Sequence, residues 1–276
     1  METKQQHLTK IGLAMILDVF FDPDALMNDF KCCQPSSKSV KSHQVSKIRP
    51  LYSSPTDFYI LNAIQDDAKN DTNDPPQLSP MKQQAHIKQL RRLSPAALYE
   101  LFATLDAPNL ADMDGEYRAE LLVQPYGIVG KMGKLFLDNI IQTWLCKAFR
   151  PVDAHYGRGY NTFLQGGQII QRYPMLTTIA TSRYDGKPAY TLIYRYFHST
   201  CGVIHMVDEV RQVAPDLYLG MGTYGFSRAQ RQIAWPFLLE KTDTPYRQDI
   251  GKHRQGFVIS ARELPAGLPL LVQPQV

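Results

Sequence analysis

The chain has 276 residues, 44% of them hydrophobic and 20% charged, with a formal net charge of +4. Such a composition excludes a wholly disordered or collagen-like chain. No run of about 18 apolar residues occurs, which excludes a polytopic helical membrane protein and predicts no transmembrane segment. The basic excess is spread along the sequence. Its densest cluster, Lys88, Arg91 and Arg92, is too short for the basic stripe of a nucleic-acid binder and reads as a solvated helix face, so no nucleic-acid partner is expected.

From the N-terminus, Ile11 to Phe21 is apolar but broken by Asp18, which suits a short amphipathic helix better than a signal peptide. A cytoplasmic location is the expectation. The apolar face Leu13, Ile16, Leu17 and Phe20 suits a groove, making residues 1–31 a candidate arm for a protein partner. Cys32, Cys33, Cys146 and Cys201 show no zinc-binding spacing. Residues 34–85 are polar and proline-rich and read as linker, except for the island Asp57 to Ile64, which suits a short docked helix. The division predicted is an N-terminal helical arm and largely disordered linker over 1–85, then one domain over 86–276 with an extended C-terminal tail.

Ser94-Pro95 is a helix start, since Ser caps and Pro suits the first turn. Leu98, Leu101, Phe102 and Leu105 follow at helical spacing. Gly115 to Val123 reads as a strand, and 134–145 as a helix whose end turns into a strand. Then come β-rich runs at Tyr160–Leu164, Met175–Tyr184, Ala189–Phe197, Val203–Val213, Leu217–Phe226 and Pro236–Lys241, with Gly256–Ala261 as a candidate last strand. Asp185-Gly186 suits a two-residue hairpin turn, placing Thr181 opposite Tyr190 and Ile179 opposite Leu192. Ala214-Pro215-Asp216 marks a second turn. The fold class expected is mainly β with N-terminal helices (α+β): an antiparallel up-and-down barrel-like or sandwich domain preceded by short helices and a polar linker.

The start Gly115-Glu116-Tyr117, after a short helix, resembles the G-x-W opening of lipocalin-like (calycin) β-barrels, with Tyr117 in place of Trp. The resemblance covers about residues 110–241 and lacks the family's T-D-Y pattern. It implies an aromatic barrel floor at Tyr117, a basic residue packed across it (Arg211 or Lys241) and an interior that holds a small apolar ligand.

No nucleotide, P-loop, zinc-protease or serine-hydrolase motif is present, so no cofactor and no metal is expected. Gly220-Met-Gly222 marks a bulge or close packing inside a strand. In the Val203–Val213 run, alternation puts His205, Glu209 and Arg211 on one face and Asp208 on the other, with Ile204, Met206 and Val210. An Asp on an apolar face needs a partner, and Arg183 and Arg195 are the candidates.

Three functions follow. The first is binding of a small apolar ligand, such as a lipid or fatty acid, with Tyr190, Tyr194, Tyr196, Arg195 and Asp208 as ligand-binding candidates. The second is an isomerase, cyclase or hydrolase using a His/carboxylate pair drawn from His205, His198, Asp208 and Glu209. The third is a protein-interaction module using the N-terminal arm.

Overall fold

A computed structural model describes residues 80–124, 142–227 and 230–264, together with Asp57, Ile60 and Ile64. The arm at 1–31, most of the linker, residues 134–141 of the expected helix and the last residues of the tail lie outside the described residues.

Eight antiparallel strands form a closed up-and-down barrel in sequence order: β1 (Gly115–Leu121), β2 (Gln142–Pro151), β3 (Tyr156–Gln165), β4 (Gln168–Thr181), β5 (Pro188–Ile193), β6 (Val207–Ala214), β7 (Leu217–Thr223) and β8 (Trp235–Lys241). β1 closes the ring on β8, with Tyr117 opposite Lys241 and Leu121 opposite Phe237. The domain is mainly β, and a helical segment precedes the barrel. Residues 142–145 are strand, as expected for the end of the 134–145 segment.

Closure decides which face of each strand is internal. Tyr117, Phe149, Tyr190 and Tyr218 form an aromatic floor, their rings meeting at centroid distances of 5.3–5.6 Å. Tyr190 donates to Thr177 Oγ1 at 2.9 Å. The aromatic face of the β4–β5 hairpin therefore points inward. Glycines make room higher up. A Cβ on Gly220 would meet the ring of Phe237, its partner on β8, which fills the lumen.

The hairpin register differs by two residues from the sequence expectation. Tyr190 faces Ile179, and Leu192 faces Thr177. The loop has four residues: Ser182 donates its N–H to the Lys187 carbonyl, and Gly186 donates to that of Ser182. A shift of two keeps every side chain on its expected face. Two-residue turns do occur at Gly166-Gly167, where both φ values are positive (56° and 78°), and at Pro215-Asp216.

Two expected strands are shorter than the pattern suggests. β5 ends at Ile193, and Tyr194–Tyr196 forms a 3-10 turn. Thr200–Val203 is a short helix (α3) capped by Ser199, and His205 has a φ of 53°, so the run from Val203 becomes strand only at Val207. Gly256–Ala261 is not a strand. A closed barrel leaves no free edge for it, since β1 and β8 already pair.

Helices α1 (Pro80–Leu90) and α2 (Pro95–Thr104) pack outside the barrel. Ser94 caps α2, its Oγ accepting from Ala97 N–H at 3.2 Å. Ile87, Leu90, Leu98, Leu101 and Phe102 share one apolar cluster with Val213, Leu217, Leu219 and Leu238 of the wall. Ile64, helical as expected for the 57–64 island, is buried in the same cluster.

Arg211 joins these layers. It is fully buried, yet its guanidinium lies 4.5 Å from the Phe102 ring, outside the lumen and not across Tyr117, the place the family resemblance offered to it or to Lys241. It donates to Asp185 at 2.6 and 2.7 Å and to the Phe102 carbonyl at 2.7 Å. Lys187 donates to the Ala103 carbonyl at 2.6 Å. Two barrel cations thus satisfy the C-terminal carbonyls of α2. We expect Arg211→Met to lower stability by about 3 kcal/mol, because it strands Asp185 and a helix carbonyl together. Urea unfolding followed by circular dichroism measures this.

Candidate functional site

The lumen above the floor holds a charged cluster. Lys147 on β2 and Asp208 on β6 meet across it, Nζ to Oδ2 at 2.8 Å, with side chains only 4% and 2% exposed. Lys147 also donates to Asn161 Oδ1 at 3.1 Å and to the Tyr194 hydroxyl, and Tyr194 donates to Asp208 Oδ2 at 2.8 Å. Trp144 Nε1 donates to Asn161 Oδ1 at 3.1 Å. The ammonium sits 5.1–5.3 Å from the ring centres of Phe237, Trp144 and Tyr194, so aromatic faces supply part of the stabilisation lost with water.

A β-bulge between Trp144 and Cys146 keeps both Trp144 and Lys147 directed inward although they are three positions apart. Asp208 is placed by its pairing with Gly222, where a Cβ would come within 3.1 Å of Asp208 Oδ1. Among the described residues that oxygen is buried without a hydrogen-bond partner, and so is Trp235 Nε1. Both residues line one cavity with Leu121, Tyr173, Cys201 and Met206. Its free space is about 20 Å³, roughly that of one water.

Burial, with Asp208 next in importance, pushes the Tyr194 hydroxyl well above the ordinary phenol value, so it is a neutral donor. Burial likewise raises Tyr184 and Tyr190. The Cys201 thiol is pushed up by burial and by Asp208, which makes it inert as a thiolate.

Of the ligand-binding candidates, the fold brings Tyr194 and Asp208 together. Tyr190 lies in the floor. Tyr196 packs outside with Phe197 and Ile193, and Arg195 is outside as well. The partner of Asp208 is Lys147; Arg183 pairs with Glu209 at 3.3 Å and Arg195 with Glu263 at 3.2 Å. Lys147 was missed because sequence alternation relates neighbouring strands, whereas this pair spans the lumen.

The four catalytic candidates do not share one cavity. Asp208 is internal. Glu209 points outward, and burial raises its pKa despite the Arg183 backbone bond. His205 lies outside, 5.3 Å from the Phe226 ring and 3.9 Å from Glu263. Burial and then Arg195 lower its pKa, leaving a neutral imidazole. His198 lines an outer groove. Among the described residues, no group of three His, Cys, Asp or Glu is placed to hold a metal, and no helix is long and apolar enough to cross a membrane.

No family model matches the sequence, and no curated protein matches it. Among solved structures, a protein from Thermomonospora curvata is similar at 17% identity with a TM-score of 0.39, the match covering 60% of this chain and 99% of that one. A likeness this loose carries no argument about chemistry.

Two outcomes are expected. Lys147→Met, which leaves a buried carboxylate unpaired, costs about 3–5 kcal/mol, and the double variant Lys147→Met/Asp208→Leu recovers much of it; denaturant midpoints of the three proteins test this. The buried tyrosines have folded pKa values above their unfolded ones. Below pH 10 both states are protonated; above it the unfolded chain loses protons first, so stability falls as pH rises past about 10. The phenolate absorbance of these buried tyrosines is expected to appear together with unfolding, after that of exposed ones such as Tyr99.

Proposed function

We propose that the protein is a small-molecule binding barrel of the lipocalin-like kind, taking an apolar ligand that carries a hydroxyl group. The observation that carries this reading is the buried, unpartnered Asp208 Oδ1. Leaving such an acceptor unmade in a lumen costs about 1–3 kcal/mol. Lys147 already has three acceptors for its three protons, and Tyr194 has spent its own. What the cluster lacks is a donor to Asp208, and what Trp235 Nε1 lacks is an acceptor. A hydroxyl is both. The apolar body of the ligand would lie among Phe237, Trp144, Met206 and Leu121.

The closed up-and-down barrel beginning at Gly115-Glu116-Tyr117, with Tyr117 in the floor, supports the family part of the reading. A space of about 20 Å³ is far below the ~300 Å³ of typical ligand pockets, so binding requires side chains to give way. Phe237 fills the centre, and Met206 is the most adaptable wall. Between β4 and β6 the wall above Leu176 is not sheet, because β5 stops at Ile193; Tyr194–Met206 covers it instead. Entry through that cover breaks no strand ladder.

Mass spectrometry of the purified protein, native and then denatured, tests the reading. We expect release of a stoichiometric apolar compound bearing a hydroxyl. Phe237→Ala is expected to take up more of it on soaking in a mixture of fatty alcohols, and Asp208→Asn less. Failure of both the wild type and Phe237→Ala to retain any compound would leave Asp208 satisfied by a single water and would overturn the proposal.

A further inference from the structure

A separate groove lies on the outer face of the Tyr194–Met206 cover. It has a volume of about 800 Å³ and is lined by Arg195, His198, Phe257 and the 251–256 strap, which carries Lys252, His253 and Arg254. The lining contains three cations and two imidazoles (His198 and His253) and no carboxylate.

Elsewhere on the barrel most arginines are ion-paired, Arg172 being held by Gln142 and Gln165 instead. Arg91, Arg118, Arg150, Arg183, Arg211 and Arg247 each have a carboxylate partner. In the groove, Arg195 alone has one, Glu263, which also accepts from Ser260. Lys252 has no ion pair among the described residues, and Arg254 uses only Nε, on the Phe197 carbonyl at 3.2 Å. The adjacent acid, Asp249, is held by Arg150 and Arg158. Like charges gathered in a concavity repel one another, and the field there is focused toward an anion.

The backbone that carries these donors is anchored. The strap is tied to the cover by His198 N–H to the Lys252 carbonyl at 3.0 Å and by Arg254 N–H to the Tyr196 carbonyl at 2.8 Å. Gly251, at a φ of 83°, lets the strap turn tightly against Pro174. Such anchoring lowers the ordering cost of binding.

We propose that this groove binds the phosphate groups of a small phosphorylated molecule, held by Lys252, Arg254 and His198 beside Arg195. The proposal does not depend on the lumen reading.

Titration calorimetry of the full chain with inorganic pyrophosphate tests it. We expect one site per chain, weakening as KCl rises from about 50 to about 300 mM. Lys252→Ala and His198→Ala, both exposed and outside the core, are each expected to weaken binding up to about fivefold, with circular dichroism unchanged. Lys88→Ala, on α1, is expected to leave it unchanged. Absence of binding, equal weakening by all three variants, or binding only to phosphatidate vesicles would overturn the proposal.

Discussion

Pairing of β1 with β8 is the constraint on which the structure rests. Once Tyr117 lies opposite Lys241 and Leu121 opposite Phe237, the meander has an inside, and alternation along each strand assigns every side chain to lumen or surface. Asp208 is inside because of this closure, and Glu209 and Arg211 are outside by the same rule. Each of the three meets its partner there: Lys147, Arg183 and Asp185. No edge remains for the segment after β8, so it runs along the outer wall as a strap.

The outer layer obeys a second requirement, that helix termini be satisfied. Arg211 and Lys187 reach from the barrel to the last carbonyls of α2. The apolar stripe of α2 supplies burial, and these donors fix its position along the wall. Burial is non-directional, while hydrogen bonds are not.

The sequence made most of the strands, their up-and-down succession and the turn at Pro215-Asp216 legible, since these depend on local alternation and turn chemistry, but not the body of β2, where Cys146–Pro151 follows a segment read as helix. It also showed that Asp208 requires a partner. The identity of that partner was not legible, because Lys147 precedes it by 61 residues and comes near only when the ring closes. The hairpin loop was misjudged by two residues because Asp185-Gly186 suits a tight turn, yet Asp185 is engaged by Arg211 and Ser182 accepts from Tyr184 N–H. Tertiary bonds chose the longer loop. The stop of β5 at Ile193 was invisible for a like reason: Tyr194 to Tyr196 has strand-like residues, but Tyr194 turns its hydroxyl to the Lys147–Asp208 pair. The basic groove has no sequence signature, since Arg195 and His198 stand more than fifty residues from the strap.

The early end of β5 also bears on how the domain breathes. Along most of the ring, each strand is laddered on both sides, so exposing one amide requires parting a neighbour from end to end. Between the upper part of β4 and β6 the ladder is missing, and a 3-10 turn, a four-residue helix and a strap stand in for it. Amide hydrogens of the turn and the short helix are held mostly by short-range bonds, and the strap adds only isolated ones, such as His198 N–H to the Lys252 carbonyl, so these open singly. Deuterium should therefore enter here in small, uncorrelated steps, while the laddered remainder of the barrel exchanges as one block on global unfolding.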